Sequence, residues 1–218
     1  MKRKLLIILA CLCLSFTLII GGCGENAQIK ALRLAINNIN FDNCYGYNQT
    51  IFIKNGTFEY QSYNKLVAFD GSDIKIIETT KTLNPVGESE PFTTVSTTKY
   101  ISNGYLIEKV GQDFKRTGEI AFSLGVELDV KEEYFKDFTF DEKTQENSYL
   151  FNAVIKQSYY YNYVHENDVS DLKVQVDVTD KSVNSIIVKY VSNNLSNVTI
   201  TTSIFQTAQQ VNLPTITE

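Results

Sequence analysis

Val169–Tyr190 reads VSDLKVQVDVTDKSVNSIIVKY, and its alternation decides the fold. Leu172, Val174, Val176 and Val178 fall on one side of an extended chain, with Lys173, Gln175, Asp177 and Thr179 on the other. A strand sends successive side chains to opposite faces, so this spacing predicts a half-buried strand. Asp180-Lys181-Ser182 turns the chain into a second β-rich run, Ser185–Val191. Asn193-Asn194 turns it again into a third, Asn197–Phe205.

The same period governs the N-terminal half. Tyr45, Tyr47, Ile51 and Ile53 share one side of a strand, opposite Asn48, Thr50 and Lys54. Asn55-Gly56, Asp70-Gly71 and Asn103-Gly104 separate β-branched and aromatic runs, a pattern that predicts an antiparallel meander of hairpins. Residues 83–91 hold two of the three prolines and read as a longer loop. Strands resume over Ser148–Gln157. Elsewhere the period lengthens. Ile29, Leu32, Ala35, Ile36 and Ile39 mark one face of an amphipathic helix over Ala27–Ile39. Asp129 and Glu132 are spaced as a capping box, and Val130, Tyr134 and Phe138 follow at intervals of four, predicting a second short helix. A third is expected around Glu119–Leu124.

Eight or nine strands at a spacing of about 4.8 Å make a sheet with an apolar face of roughly 1,200 Å². Two or three short helices, each about 10 Å wide, shield roughly 400–500 Å² of it. Geometry leaves two solutions open. The sheet folds back on itself as a sandwich or closed barrel, or it curls around the helices and keeps an apolar cavity.

The order of elements resembles the LolA/LolB/LppX-like bacterial lipoproteins: an N-terminal helix, a meander, a mid-chain helical segment and three closing strands. The stretch quoted above, VTITTSIF at 198–205 and VNLP at 211–214 carry most of the likeness. The resemblance implies an α+β, mostly antiparallel β fold, a curved unclosed β-barrel (half-barrel) with two or three short helices on its concave face. It also implies acyl chains or lipids in that concavity.

The chain opens with Met1-Lys2-Arg3-Lys4 and an apolar run from Leu5 to Ile20, the layout of a secretory signal. As a helix that run reaches only about 24 Å, short of a roughly 30 Å hydrocarbon core. Ile20-Gly21-Gly22-Cys23 resembles a lipobox, which implies cleavage before Cys23 and acylation of its sulfur with chains such as palmitate. Residues 1–22 are then a signal peptide, 23–26 a lipidated tether, and 27–218 a single half-barrel domain. The expected location is the cell membrane, lipid-anchored on the extracytoplasmic side. The Asn, Lys and Ile content, with no Trp, suits a low-GC bacterium.

Without Lys2, Arg3 and Lys4 the chain keeps 17 basic against 25 acidic residues, a formal charge of −8. That balance argues against nucleic acid, which recruits Lys and Arg to phosphates. Cys44 is the one cysteine outside the signal and lipobox, so it has no partner for an internal disulfide. It reads as a small packing residue.

Catalytic chemistry finds little support. His165 is the single histidine, which disfavours a zinc site or a Ser-His-Asp triad. Glu132-Glu133 and Asp141-Glu142 read as surface charge. No phosphate loop or nucleophile elbow occurs, and no metal, cofactor or enzymatic activity is expected. Tyr159, Tyr160, Tyr161 and Tyr163 are the unusual cluster, too dense to be buried on one face. They are the candidate ligand-binding residues, an amphipathic rim at a cavity mouth. Two functions follow. One is a monomeric, membrane-anchored lipoprotein holding a lipid or other amphiphile. The other is a non-enzymatic surface lipoprotein that serves as a protein-interaction scaffold through loops such as 83–91.

Overall fold

The computed structural model describes residues 26–39, 45–86, 89–121, 128–145, 148–180, 182–193, 195–207 and 209–217. The signal segment 1–22, Cys23 and Cys44 lie outside the described residues.

The alternating stretch forms β9 (Ser170–Thr179) and β10 (Ser182–Val191), followed by β11 (Asn197–Phe205). Leu172, Val174, Val176 and Val178 are all buried, as their spacing predicts. Each such side chain removed from water contributes about 1.5–3 kcal/mol. Six further strands form the N-terminal meander: β1 (Gly46–Asn55), β2 (Phe58–Asp70), β3 (Asp73–Leu83), β4 (Phe92–Ser102), β5 (Tyr105–Val110) and β6 (Asp113–Glu119). The hairpins close where glycine stands. Between β4 and β5 both Asn103 (φ +52°) and Gly104 (φ +79°) are left-handed, the type I′ geometry that suits the twist of paired strands. In the β1–β2 and β2–β3 turns, Asn55 and Asp70 instead close the strands, and the two-residue loops are Gly56-Thr57 and Gly71-Ser72. The 84–91 loop is tied by Asn84, whose amide donates to the Glu90 carbonyl at 2.9 Å.

The two meanders join through an antiparallel β1–β11 pairing, Gly46 opposite Phe205 through Lys54 opposite Asn197. The order across the sheet is β6-β5-β4-β3-β2-β1-β11-β10-β9-β8-β7. Its two ends, β6 and β7, do not pair with each other. The result is a half-barrel of eleven antiparallel strands, two or three more than the expected eight or nine.

One face carries α1 (Ala27–Asn37), the single α-helix among the described residues. Asn26 caps it, its side-chain oxygen accepting from the backbone of Gln28 (2.9 Å) and Ile29 (3.3 Å). Ile29, Leu32, Ala35 and Ile36 bury against Tyr47, Val67, Val174, Val176, Ile186 and Ile204 in one continuous core. This is the concave face.

The expected second helix is not there. Glu132–Tyr134 make one 3₁₀ turn, and the chain then runs as strand β7 (Phe135–Glu142) beside β8 (Tyr149–Ile155). A spacing of four places residues together on a helix and equally on one side of a strand. Pairing with β8 decides for the strand, setting Phe138 opposite Ala153 and Phe140 opposite Phe151. The Phe140 and Phe151 rings lie 5.0 Å apart. The third expected helix is also absent over its described part: Glu119 ends β6 and residues 120–121 are irregular, while 122–127 fall outside the described residues.

The convex face has its own small cluster. Val211 and Ile216 pack with Ala68, Tyr100, Ile107 and Phe114. The C-terminal segment therefore straps the meander, and Thr217 N–H donates to the Phe114 carbonyl at 3.0 Å on the open side of β6.

Candidate functional site

Four strands of the concave face set two apolar rows side by side. Tyr63 of β2 lies opposite Ile51 of β1, then Ile200 of β11, then Val188 of β10. The next row runs Gln61, Ile53, Val198 and Tyr190. These rows cross roughly 14 Å of sheet, three inter-strand spacings. Farther along the same strands, Tyr47, Val67 and Ile204 are buried under the core, whereas Ile51, Ile53 and Ile200 stay half-exposed. The helix packs along β10, and within these rows Val188, Tyr190 and Val198 are buried while Ile51, Ile53 and Ile200 are only partly so.

A groove of about 510 Å³ lies over these rows. The sheet provides its floor, and Tyr163, Val164, His165 and Glu166 provide one wall. That wall follows the 3₁₀ segment Gln157–Asn162, which is what the tyrosine-rich run becomes. The four candidate tyrosines separate there. Tyr159 stacks on Tyr134 with ring centroids 4.4 Å apart. Tyr160 packs against the core. Tyr161 is 70% exposed and rests edge-on against the His165 ring. Tyr163 alone of the four lines the groove.

Three phenols line the groove, each bonded to the protein. Tyr63 donates to the Glu78 carboxylate at 2.9 Å, Tyr190 to Glu166 at 2.7 Å, and Tyr163 to the Asp129 carbonyl at 2.8 Å. Burial, with Glu78 adding to it, pushes the Tyr63 hydroxyl up to about 12. Burial likewise raises Tyr163 and Tyr190 above the usual phenol range, helped for Tyr190 by its bond to Glu166. All three remain neutral donors at physiological pH.

Two other hollows are lined differently. One of about 210 Å³ lies on the convex face of β7–β10, beside Asp137, Lys173 and Lys189. Another of about 460 Å³, beside α1 and the β7–β8 turn, includes Gln28, Glu142, Lys143 and Gln145. Among the described residues no three His, Cys, Asp or Glu side chains gather as metal ligands. Glu132 accepts from the backbone N–H of Asn26 at 3.1 Å, and Asp141 accepts from Asn152 at 2.8 Å. The groove can hold an apolar chain and hydrogen-bond what emerges from it.

Sequence reasoning missed Tyr63, Tyr190 and Glu166, and did not single out Ile51, Ile53 and Ile200. The period-two pattern identified both isoleucines of β1 as apolar-side residues. Which apolar residues stay partly exposed is settled only when the helix and the 163–166 segment take their places on the sheet.

No family model and no curated protein matches this chain. Among solved structures, the crystal structure of LprF from Mycobacterium bovis is similar, with a TM-score of 0.47 and 12% identity over 88% of this chain and 99% of that one.

Proposed function

We propose that this protein is a membrane-anchored bacterial lipoprotein of the LolA/LppX type that holds a lipid or other amphiphile against its concave face. The carrying observation is the half-exposed apolar floor, Ile51, Ile53 and Ile200, within a groove of about 510 Å³. Ligand sites commonly measure about 300–1,000 Å³. Burying a C16 chain there is worth on the order of 10 kcal/mol before ordering costs.

The anchor suits this use. Three residues from Cys23 to Asn26 reach at most about 10 Å. Asn26 is bonded to Glu132, and Asp129, three residues earlier, holds Tyr163 at the groove wall. In this reading a lipid on Cys23 keeps the groove beside the membrane on the extracytoplasmic side. Binding without chemistry is the proposed role.

Native mass spectrometry of the chain purified from membranes tests this. Adducts of lipid mass are expected, and Ile200→Trp, which fills the groove, is expected to remove them while Tyr161→Ser leaves them. A bare protein, or adducts indifferent to Ile200→Trp, refutes the reading.

The interaction-scaffold reading has one observation in its favour. Strand β5 pairs with β4 only over Lys99–Ser102, so Phe92–Thr98 presents a strand edge without a neighbour among the described residues. Such edges accept added strands.

A further inference from the structure

The groove accepts hydrogen bonds far better than it donates them. A phenol has one proton and two lone pairs. Tyr63, Tyr163 and Tyr190 each commit that proton to a protein oxygen, so toward the groove they offer lone pairs only. Glu166, which also lines it, is acceptor-only when ionised. Among the lining residues, side-chain donors not already committed are confined to the Gln61 amide and the His165 ring, and no Lys or Arg is present.

The cations nearest the groove stand beside acids and outside its lining. Lys65, the next residue past Tyr63 on that side of β2, faces Glu78 across the β2–β3 register and is not a lining residue. Lys99 of β4 is 4.0 Å from Glu78 and 3.3 Å from Glu108. Lys131, behind the Tyr163 wall, is 3.2 Å from Asp129. A carboxylate or phosphate entering the groove would meet lone pairs and the Glu166 carboxylate, with no Lys or Arg among the lining residues to receive it. A hydroxyl or ammonium head would find acceptors already oriented, and the ammonium also faces tyrosine rings.

We infer that the groove takes an amphiphile whose head carries hydrogen-bond donors and no negative charge, and that it discriminates against free fatty acids and anionic phospholipids. This rests on the groove being the ligand site.

The test is a competition at fixed chain length. The full chain is incubated at neutral pH with an equimolar mixture of monopalmitoylglycerol, hexadecylamine, palmitate and palmitoyl-lysophosphatidylglycerol, and adducts are counted by native mass spectrometry. The first two are expected to exceed each anionic partner at least about tenfold, the scale of one charge-assisted hydrogen bond. Glu166→Gln, which keeps an acceptor for Tyr190, is expected to shrink that ratio severalfold, most for hexadecylamine. Equal loading of all four, anionic preference, or a ratio unmoved by Glu166→Gln overturns the inference and leaves the groove as an unselective lipid site. Absence of any adduct overturns the groove reading itself, and this one with it.

Discussion

Gly46→Ala is expected to be among the costliest single-methyl changes in this protein. Gly46 opens β1 where that strand is held on both sides, by Ala68 of β2 and Phe205 of β11. Its φ of +145° belongs to a region that side chains rarely enter. A Cβ built there falls 2.2 Å from the Val67 carbonyl oxygen, and 3.1 Å from both the Ala68 Cα and the Phe205 ring. The first two are backbone atoms of a strand whose Val67 is fully buried, so neither can retreat without moving the core. Backbone strain of this type costs about 1–3 kcal/mol, and overpacking adds about 1–3 more. The sum is roughly 4 kcal/mol, a large part of the 5–15 kcal/mol that holds a typical domain together. In urea unfolding, with a slope of about 2 kcal/mol per molar, the midpoint should fall by about 2 M. Gly56→Ala is the matched control, with a φ of +60° and nothing within 4 Å of the added carbon. It should cost only about 1–2 kcal/mol, the left-handed penalty. If the two variants unfold at the same urea concentration, with unchanged slope, the close approach at Gly46 is not the controlling contact.

Two further outcomes follow from the geometry. The raised hydroxyls of Tyr63, Tyr163 and Tyr190 mean that the folded chain keeps protons the unfolded chain has lost. Their contribution is therefore whole below about pH 10, the ordinary phenol value, and is lost as pH climbs through the folded values. Stability measured by urea midpoint should decline from pH 10 to 12, with tyrosinate absorbance rising in step, and a flat profile would contradict the burial argument. Asn26→Ala leaves the first-turn N–H groups of Gln28 and Ile29 without their side-chain acceptor, at a cost of about 1 kcal/mol. A thermal midpoint that does not drop would show that the cap is dispensable.

Local order in the chain determined a good deal. Alternation at Leu172–Val178, the left-handed turn at Asn103-Gly104 and the helical spacing of Ile29, Leu32, Ala35 and Ile36 each rest on neighbours within a few positions, and each appears where expected. Strand β6 was missed although Gly111-Gln112 provides its turn, because Asp113–Glu119 is mostly polar and has no buried side to betray a period. Strand β7 was misread because Val130, Tyr134 and Phe138 satisfy a helix and a strand alike, and only the Phe140–Phe151 contact across to β8 separates the two. The groove belongs wholly to the tertiary structure. Ile51 and Ile200 are adjacent in space and far apart along the chain, brought together when β1 pairs with β11. Their partial exposure depends on how much of the sheet face α1 and the 163–166 segment cover between them, a balance of area between elements that no short window of residues contains.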